Sequence, residues 1–160
     1  MERVNRILKN ETYQDCLAQI RQCEKDRIFC HHDMAHFLDV ARLAQLMNLE
    51  ENMGVSKERI YAAALLHDIG RHLQYQKKVP HEQASAQIAP EILRDCGFAK
   101  GEESEIIAAI ASHRDVNVKE RKDLVGLIYR ADKLSRSCFG CEAESLCDWK
   151  KEKKNLELKL

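Results

Sequence analysis

The sequence has few residues that interrupt or bend a chain: two prolines and six glycines among 160 residues. Aromatic residues make up only 6% of it. A β-sandwich or barrel needs more turn residues and more β-branched runs, so both are disfavoured. A hydrophobic content of 44% argues against disorder, and the length suits one domain. The composition therefore predicts an all-α, single-domain helical bundle.

The sequence also lacks an excess of charge of either sign. Lys and Arg number 26 and Asp and Glu number 26, so the formal net charge is zero. A strongly basic nucleic-acid binder is disfavoured, and we expect no nucleic-acid partner. No stretch approaches the roughly 20 apolar residues of a membrane-spanning helix, and the N-terminus has no apolar signal-peptide region. We expect a cytoplasmic protein that does not enter a membrane.

Apolar residues recur at helical spacing through most of the chain. The spacing predicts helices over residues 12–26, 34–47, 57–68, 81–96, 101–113 and 121–135. Residues 71–80 and 114–120 have no such periodicity and are predicted to be loops. The charged stretch from Lys150 to Lys154 is interpreted as a solvated tail.

An adjacent histidine and aspartate, His67-Asp68, end the apolar helix predicted over residues 57–68. Burying a carboxylate without a partner costs several kcal/mol, and a bound cation removes that cost. A second such pair, His32-Asp33, is interpreted differently. Asp33 stands at a predicted helix start, where it has the simpler role of capping the helix.

Three further side chains of metal-ligating type fall on the apolar faces of their helices: His36, His113 and Asp132. For each histidine alone, a hydrogen-bonded core histidine is the simpler interpretation, and for Asp132 a buried cap or ion pair. Buried ionisable groups are rare, however, so several of them beside His67-Asp68 indicate a shared cause. The pattern predicts a metal site.

The order His36, His67-Asp68 and Asp132 resembles the H…HD…D signature of the HD-domain metal-dependent phosphohydrolases. The local sequences over residues 35–41, 64–71 and 129–134 are similar as well, and the resemblance covers about residues 29–136. It implies that these four side chains hold one divalent metal in a helical bundle. Residues 1–28 would then form an N-terminal helix on this domain, and residues 137–160 a cysteine-containing extension.

His81 and His113 look like the additional histidines of the dinuclear branch of this family. That branch includes bacterial symmetrical diadenosine tetraphosphate hydrolases and cyclic-dinucleotide phosphodiesterases. The resemblance implies that Asp68 bridges to a second metal held by His81 and His113, although His81 is also interpretable as a solvated loop residue. A mixed histidine and carboxylate set suits Fe, Mn, Co, Ni or Zn better than Ca, and a dinuclear iron centre is one form of it.

The implied activity is phosphoester or phosphoanhydride hydrolysis by a metal-activated water. Asp68, Arg71 and Lys133 are the predicted catalytic residues. Arg71 stands where many family members carry a lysine, and arginine can pair with phosphate through two hydrogen bonds. A surface ion pair is the alternative for Lys133, and His72 is interpreted as a solvated histidine.

The expected substrate is a small phosphorylated molecule, a nucleotide or dinucleotide polyphosphate, with diadenosine tetraphosphate as the first choice by resemblance. The alternatives are a mononuclear nucleoside 5'-monophosphatase and a non-catalytic ligand-sensing module of the same fold.

Four of the seven cysteines form a further pattern. Cys138-x-x-Cys141 and Cys147 follow the last predicted helix. Cys30 precedes the His36 helix, which a shared metal would bring close to the Asp132 helix. Four thiolates at this place could hold a structural zinc ion or, as the second choice, an iron–sulfur cluster. Ordinary thiols are the alternative interpretation, since the spacing is only half of a C-x-x-C…C-x-x-C pattern.

Overall fold

The computed structural model describes residues 1–159 and has, in that range, eight α-helices, four short 3-10 turns and no strand. The helices are α1 (Glu2–Lys9), α2 (Glu11–Glu24), α3 (Met34–Glu50), α4 (Lys57–Leu66), α5 (Arg71–Lys77), α6 (His81–Asp95), α7 (Lys100–Ser112) and α8 (Leu124–Leu134). The 3-10 turns are Val116–Val118, Cys138–Gly140, Glu144–Leu146 and Lys151–Lys153. The predicted all-α class is confirmed. Within the same part of the chain, no helix is both long and apolar enough to cross a membrane.

Helix α4 lies at the centre of the bundle. Every residue from Ala62 to Leu66 is buried, and a helix that is apolar on all sides must be surrounded by other elements. Its neighbours are α1, α3, α7 and α8. The end of α4 therefore lies inside the protein, and the two residues that follow it, His67 and Asp68, are buried as well.

The N-terminal segment forms two helices where the sequence pattern predicted one. Asn10 separates them, and its side chain accepts a hydrogen bond from the backbone N–H of Tyr13, 3.0 Å away, which caps α2. Helix α1 is joined to α4 and α7 by Arg3, which donates to Glu58 at 2.8 Å and to Glu102 at 3.1 Å.

The prediction of a loop over residues 71–80 is wrong for most of its length, because residues 71–77 form α5. Residues 71–77 have no apolar periodicity, but they also contain no proline or glycine that would oppose a helix. Its helical state depends on tertiary contacts: His72 is buried, and the Tyr75 hydroxyl donates to Glu24 of α2 at 2.6 Å. Packing decides the structure here, and local propensity does not.

The interpretation of residues 150–154 as a solvated tail is also incorrect at its end. Lys154 donates to the backbone oxygen of Glu144 at 3.1 Å, and only 8% of its side chain is exposed. The next residue, Asn155, binds backbone carbonyls at the end of α8. The chain thus folds back onto the bundle after its last 3-10 turn.

Gly70 allows α5 and α6 to approach each other closely. A Cβ atom at this position would lie 2.4 Å from the backbone nitrogen of Ser85 and 2.6 Å from the carbonyl carbon of Ala84. The backbone N–H of Gly70 donates to the Ser85 hydroxyl at 2.9 Å. Helix α6 therefore rests directly on the chain that follows Asp68.

We predict that Gly70→Ala destabilises the protein by about 1–3 kcal/mol, since backbone rather than a flexible side chain would have to move. Urea unfolding followed by circular dichroism measures this. Gly101→Ala is the matched control, because nothing lies within 4 Å of a Cβ there and alanine favours the helix. Equal stability of both variants would contradict the assigned contact.

Candidate metal centre

The six predicted metal ligands lie together where the ends of five helices converge. In chain order they are His36 in the first turn of α3, His67 and Asp68 directly after α4, His81 at the start of α6, His113 directly after α7, and Asp132 in the last turn of α8. Because each is fixed at a helix end, the packing of the bundle determines their positions.

The first of two ligand groups contains His36, His67 and Asp132, and its ligand atoms all lie within 4.8 Å of one another. The Nε2 atoms of His36 and His67 are 3.3 Å apart. The Asp132 Oδ1 atom is 3.7 Å from Nε2 of His36 and 3.8 Å from Nε2 of His67. Two imidazoles and one carboxylate thus face a common point.

The second ligand group contains Asp68, His81 and His113, all three buried. The Nε2 atoms of its two histidines are 3.1 Å apart. The Asp68 Oδ1 atom lies 3.1 Å from Nε2 of His81 and 3.5 Å from Nε2 of His113. This group has the same composition as the first, two imidazoles and a carboxylate.

Asp68 faces both groups with different oxygens. While Oδ1 faces the second group, Oδ2 lies 3.5 Å from Nε2 of His67 and 3.8 Å from Nε2 of His36. Among residues 1–159, the buried Oδ1 atom has no hydrogen-bond partner. A buried carboxylate oxygen that accepts no hydrogen bond is destabilised, and a bound cation would compensate for the missing partner.

Backbone carbonyls fix the tautomers of two ligand histidines. Nδ1 of His67 is 2.7 Å from the carbonyl oxygen of Ala64, and Nδ1 of His113 is 2.6 Å from that of Ile110. A carbonyl only accepts, so Nδ1 must carry the proton in both rings. Each Nε2 atom is then left with a free lone pair that points into the centre.

The other two ligand histidines are oriented by side chains. The Ser135 hydroxyl donates to the backbone oxygen of Asp132 at 2.8 Å, so it can accept from Nδ1 of His36 at 3.3 Å. Nδ1 of His81 is 2.5 Å from Oε1 of Gln74. In both rings Nε2 is again the atom presented to the centre, as in metal sites with oriented imidazole ligands.

Burial keeps three of these histidines neutral. It lowers the pKa of His67 to about 4 and that of His81 to about 3, and it also lowers the pKa of His36. Burial acts in the same direction on His113, but the nearby Asp68 carboxylate opposes it and raises the pKa of His113. Neutral imidazole is the form that binds metals.

The two aspartates remain charged despite their burial. Burial alone would raise the pKa of the Asp68 carboxyl, but the neighbouring His67 and His113 hold it well below its ordinary value. Burial also opposes ionisation of Asp132, and Lys133 outweighs it and lowers that pKa. Imidazole lone pairs and carboxylate oxygens that face one another without protons between them fit divalent transition metals.

Arg71 and Lys133, which the sequence predicted to be catalytic, both lie beside the ligands. Nη1 of Arg71 is 2.8 Å from Nδ1 of His81 and 3.1 Å from its Nε2. Lys133 donates to the backbone oxygen of His113 at 3.0 Å and forms an ion pair with Asp132. The interpretation of His72 as solvated is wrong, because it is buried and its Nδ1 is 3.2 Å from the carbonyl oxygen of Ile69.

The sequence reasoning missed His32 and Glu24. Nε2 of His32 lies 3.7 Å from Oδ2 of Asp68, while its Nδ1 contacts Oε1 of Glu24 at 2.5 Å. Burial alone would raise the pKa of the Glu24 carboxyl, but the hydrogen bonds and charge of His32, with a hydrogen bond from Tyr75, lower it to about 2. His32 is thus a fifth imidazole held toward the centre.

A signal for this pair exists in the sequence. Glu24 continues the buried stripe of α2, four positions after Ile20 and seven after Leu17, so an amphipathic pattern places a carboxylate on an apolar face. His32 itself carries a weaker signal, because it precedes the helix that Asp33 caps. That capping role is confirmed: the Asp33 side chain accepts from the backbone N–H of His36 at 3.0 Å.

Two clefts flank the centre. The first has a volume of about 290 Å³, and Glu24 and His32 line it together with the basic residues Arg21 and Lys25. The second has a volume of about 340 Å³ and adjoins the His81 group through Gln74. Its lining includes Lys78 and Arg114. The first cleft therefore combines basic residues with the carboxylates of Glu24 and Asp33, while the charged residues that line the second cleft are both basic.

The predicted cysteine ligands are not assembled as closely as the histidines and aspartates. In the part of the chain that the structure describes, groups of three ligand atoms within 4.8 Å contain no cysteine sulfur. Cys30 nevertheless lies near Cys138 and Cys141, since burial and these two neighbours raise the pKa of its thiol. A zinc site at these residues stays a prediction.

Comparison with known proteins identifies the family. A family model described as the HD domain matches residues 34–137. An uncharacterized protein of Clostridium beijerinckii is 47% identical over 158 residues, which cover 99% of both chains. Ribonuclease Y of Oleidesulfovibrio alaskensis is 32% identical over 129 residues, or 81% of this chain. The chain spans about a quarter of that relative's length, 23%.

A solved structure has a similar fold. It is the crystal structure of a predicted HD superfamily hydrolase from an uncultured Thermotogales bacterium, with a TM-score of 0.63 and 24% sequence identity. The match covers 89% of this chain and 81% of the other. The chain belongs to the HD domain family, and its two groups of histidine and aspartate could each hold a metal ion.

We predict that Asp68→Asn loses most bound metal, because an amide replaces the one carboxylate that faces both groups. His113→Ala should lose about one metal equivalent per chain and keep the ion of the other group. Inductively coupled plasma mass spectrometry on protein purified without oxygen measures both.

Asp39→Asn serves as the control, since this carboxylate lies on the surface 3.9 Å from Arg42. It should keep the wild-type metal content. Undiminished metal in Asp68→Asn would overturn the assignment of Asp68 as a ligand.

Proposed function

We propose that the protein is a metal-dependent phosphohydrolase that uses two metal ions and acts on a nucleotide or dinucleotide polyphosphate. The observation that carries this proposal is the placement of Asp68, which directs one oxygen to each ligand group. A single ion would need only one of these groups. Family membership supports hydrolase chemistry in general, and the second group favours the dinuclear form.

Bound divalent ions would supply Lewis acidity and a water of lowered pKa at this centre. The side chains around the centre would bind and orient the substrate. Arg71 is well placed to donate to a phosphate oxygen, since its guanidinium lies beside the ring of His81. Burial works against its charge, but Asp68 and Tyr75 raise its pKa, so the guanidinium stays protonated.

The two clefts support a substrate with more than one phosphate. The second cleft carries Lys78 and Arg114 next to the His81 group, and it can accept the anionic chain of a polyphosphate. The first cleft is lined by His32, whose Nε2 lies 3.7 Å from the Asp68 Oδ2 atom, and it neighbours the second cleft at the hydrogen bond from Tyr75 to Glu24. A dinucleotide polyphosphate such as diadenosine tetraphosphate could extend into both, and this makes it our first substrate to test.

Hydrolysis assays with four substrates test the proposal: diadenosine tetraphosphate, a nucleoside 5'-monophosphate, a cyclic dinucleotide and a short RNA. We expect release of ADP from diadenosine tetraphosphate, and none by Asp68→Asn prepared in the same way. Turnover of the monophosphate alone, with one bound ion, would favour the mononuclear alternative. RNA cleavage alone would overturn the proposal in favour of the activity that the name of the ribonuclease Y relatives suggests.

Replacing the side chains beside the ligands should separate metal binding from turnover. We predict that His32→Ala and Arg71→Ala each keep their metal content and lower kcat/KM at least about tenfold, the effect of one lost charge-assisted contact. Neither residue belongs to a ligand group. Steady-state kinetics and metal analysis on the same samples measure both quantities.

Asp39→Asn is again the control, because this surface residue lines neither cleft. Its kcat/KM should match that of the wild type. Arg71→Lys should restore part of the lost activity, since lysine keeps the charge and not the two-point geometry. Loss of metal from Arg71→Ala would instead give this residue a structural role.

A further inference from the structure

The C-terminal segment, residues 137–159, is folded but has almost no apolar core. Phe139, Leu146 and Trp149 are exposed by 52%, 69% and 43%, and Ala143 is the buried hydrophobic residue among those described in this segment. Its backbone is nevertheless folded into three of the four 3-10 turns. Short stretches without a core usually need a covalent or metal cross-link to stay folded.

Polar contacts attach this segment to the bundle. The Asn155 side chain donates to the backbone oxygens of Lys133, Leu134 and Arg136 at 2.8, 3.2 and 3.0 Å. The guanidinium of Arg136 lies 4.4 Å from the centre of the Trp149 ring. Hydrogen bonds of this kind contribute about 1 kcal/mol each, which is little for ordering so many residues.

The cysteines of the segment occur at its turns. Cys138 and Cys141 are joined by a 3-10 turn, in which the N–H of Cys141 donates to the oxygen of Cys138 at 3.3 Å. Cys147 directly follows the next turn. All three are partly buried and unpaired in the described structure. A C-x-x-C turn with a further cysteine is a common arrangement in structural zinc sites.

Cys30 lies in the loop before α3, which meets the end of α8 near the C-terminal cysteines. The contact between His36 and Ser135, at 3.3 Å, joins the start of α3 to the end of α8. Cys30 precedes α3, and Cys138 comes three residues after Ser135. Cys30 is exposed at the surface, and the pKa of its thiol is raised by partial desolvation and then by the proximity of Cys138 and Cys141, which agrees with a shared environment.

Two basic side chains lie near these thiols: Arg136 near Cys30, and Lys154, which forms an ion pair with Glu144 at 2.9 Å, near Cys138 and Cys147. Four thiolates around one divalent ion carry two excess negative charges, which such cations stabilise. The sulfur atoms stand farther apart than the ligands of one ion, so metal binding would draw the loop before α3 and the C-terminal segment together.

We propose that Cys30, Cys138, Cys141 and Cys147 bind one structural zinc ion that holds the C-terminal segment on the bundle. This site is separate from the histidine and aspartate centre and has no part in the chemistry proposed there. Tetrahedral coordination by four thiolates is a standard structural zinc site, and its formation releases the thiol protons to solvent.

Cobalt substitution distinguishes this site from the other metal centre. Only thiolate ligands give a strong sulfur-to-cobalt absorption band in the near ultraviolet, and both other ligand groups lack sulfur. We expect the band in the full chain and in Asp68→Asn, and its loss in Cys138→Ser/Cys141→Ser. The same double variant should lose one zinc equivalent per chain.

Cys23→Ser is the matched control, since this cysteine is exposed and lies outside the set. It should keep the band and the zinc. Limited trypsin digestion gives a local readout: cleavage at Lys150–Lys154 should become at least about tenfold faster in Cys138→Ser/Cys141→Ser than in Cys23→Ser.

Three results would overturn the proposal. The first is the absence of the cobalt band from the full chain. The second is a disulfide between these cysteines in protein purified without oxygen. The third is iron with acid-labile sulfide, which would assign an iron–sulfur cluster in place of zinc.

Discussion

The structure depends on the burial of one carboxylate, that of Asp68. It lies at the end of the most enclosed helix, where an unpaired charge would be expensive. The chain places imidazoles from α3, α6 and α7, as well as His67, around Asp68, and a cation bound between them would offset this cost. One end of each of those helices must lie close to Asp68: the start of α3 and of α6, and the end of α7. The buried charge therefore constrains the geometry of the whole bundle.

The four imidazoles are oriented for metal binding because their Nδ1 atoms, which face away from the centre, already have hydrogen-bond partners. Carbonyl oxygens of Ala64 and Ile110 fix two rings, and Ser135 and Gln74 fix two others. The Nε2 atoms then direct lone pairs into the centre. These lone pairs repel one another and the carboxylates unless a cation lies between them. The folded chain is therefore organised for metal binding before an ion arrives, a form of preorganisation.

Much of this arrangement could be predicted from the sequence, because the helical period assigns faces. His36, His113 and Asp132 fell on apolar faces, and the structure brings them to one place. The role of α5 could not be predicted in this way, because its seven residues are helical through contacts with α2 and α6. His32 was missed for a related reason: it lies outside any helix, and its contact with Glu24 of α2, which only the fold reveals, directs it inward.

The C-terminal segment and the metal centre meet at the end of α8. Asp132 occupies the last turn of this helix, and the carbonyl groups that follow it have no partners within the helix. Asn155 binds the carbonyls of Lys133 and Leu134, and Ser135 binds that of Asp132 while it also contacts His36. The segment thus caps the helix end that carries one metal ligand and orients another. A cross-link that keeps the segment in place would hold the first ligand group in its geometry without contacting the metal.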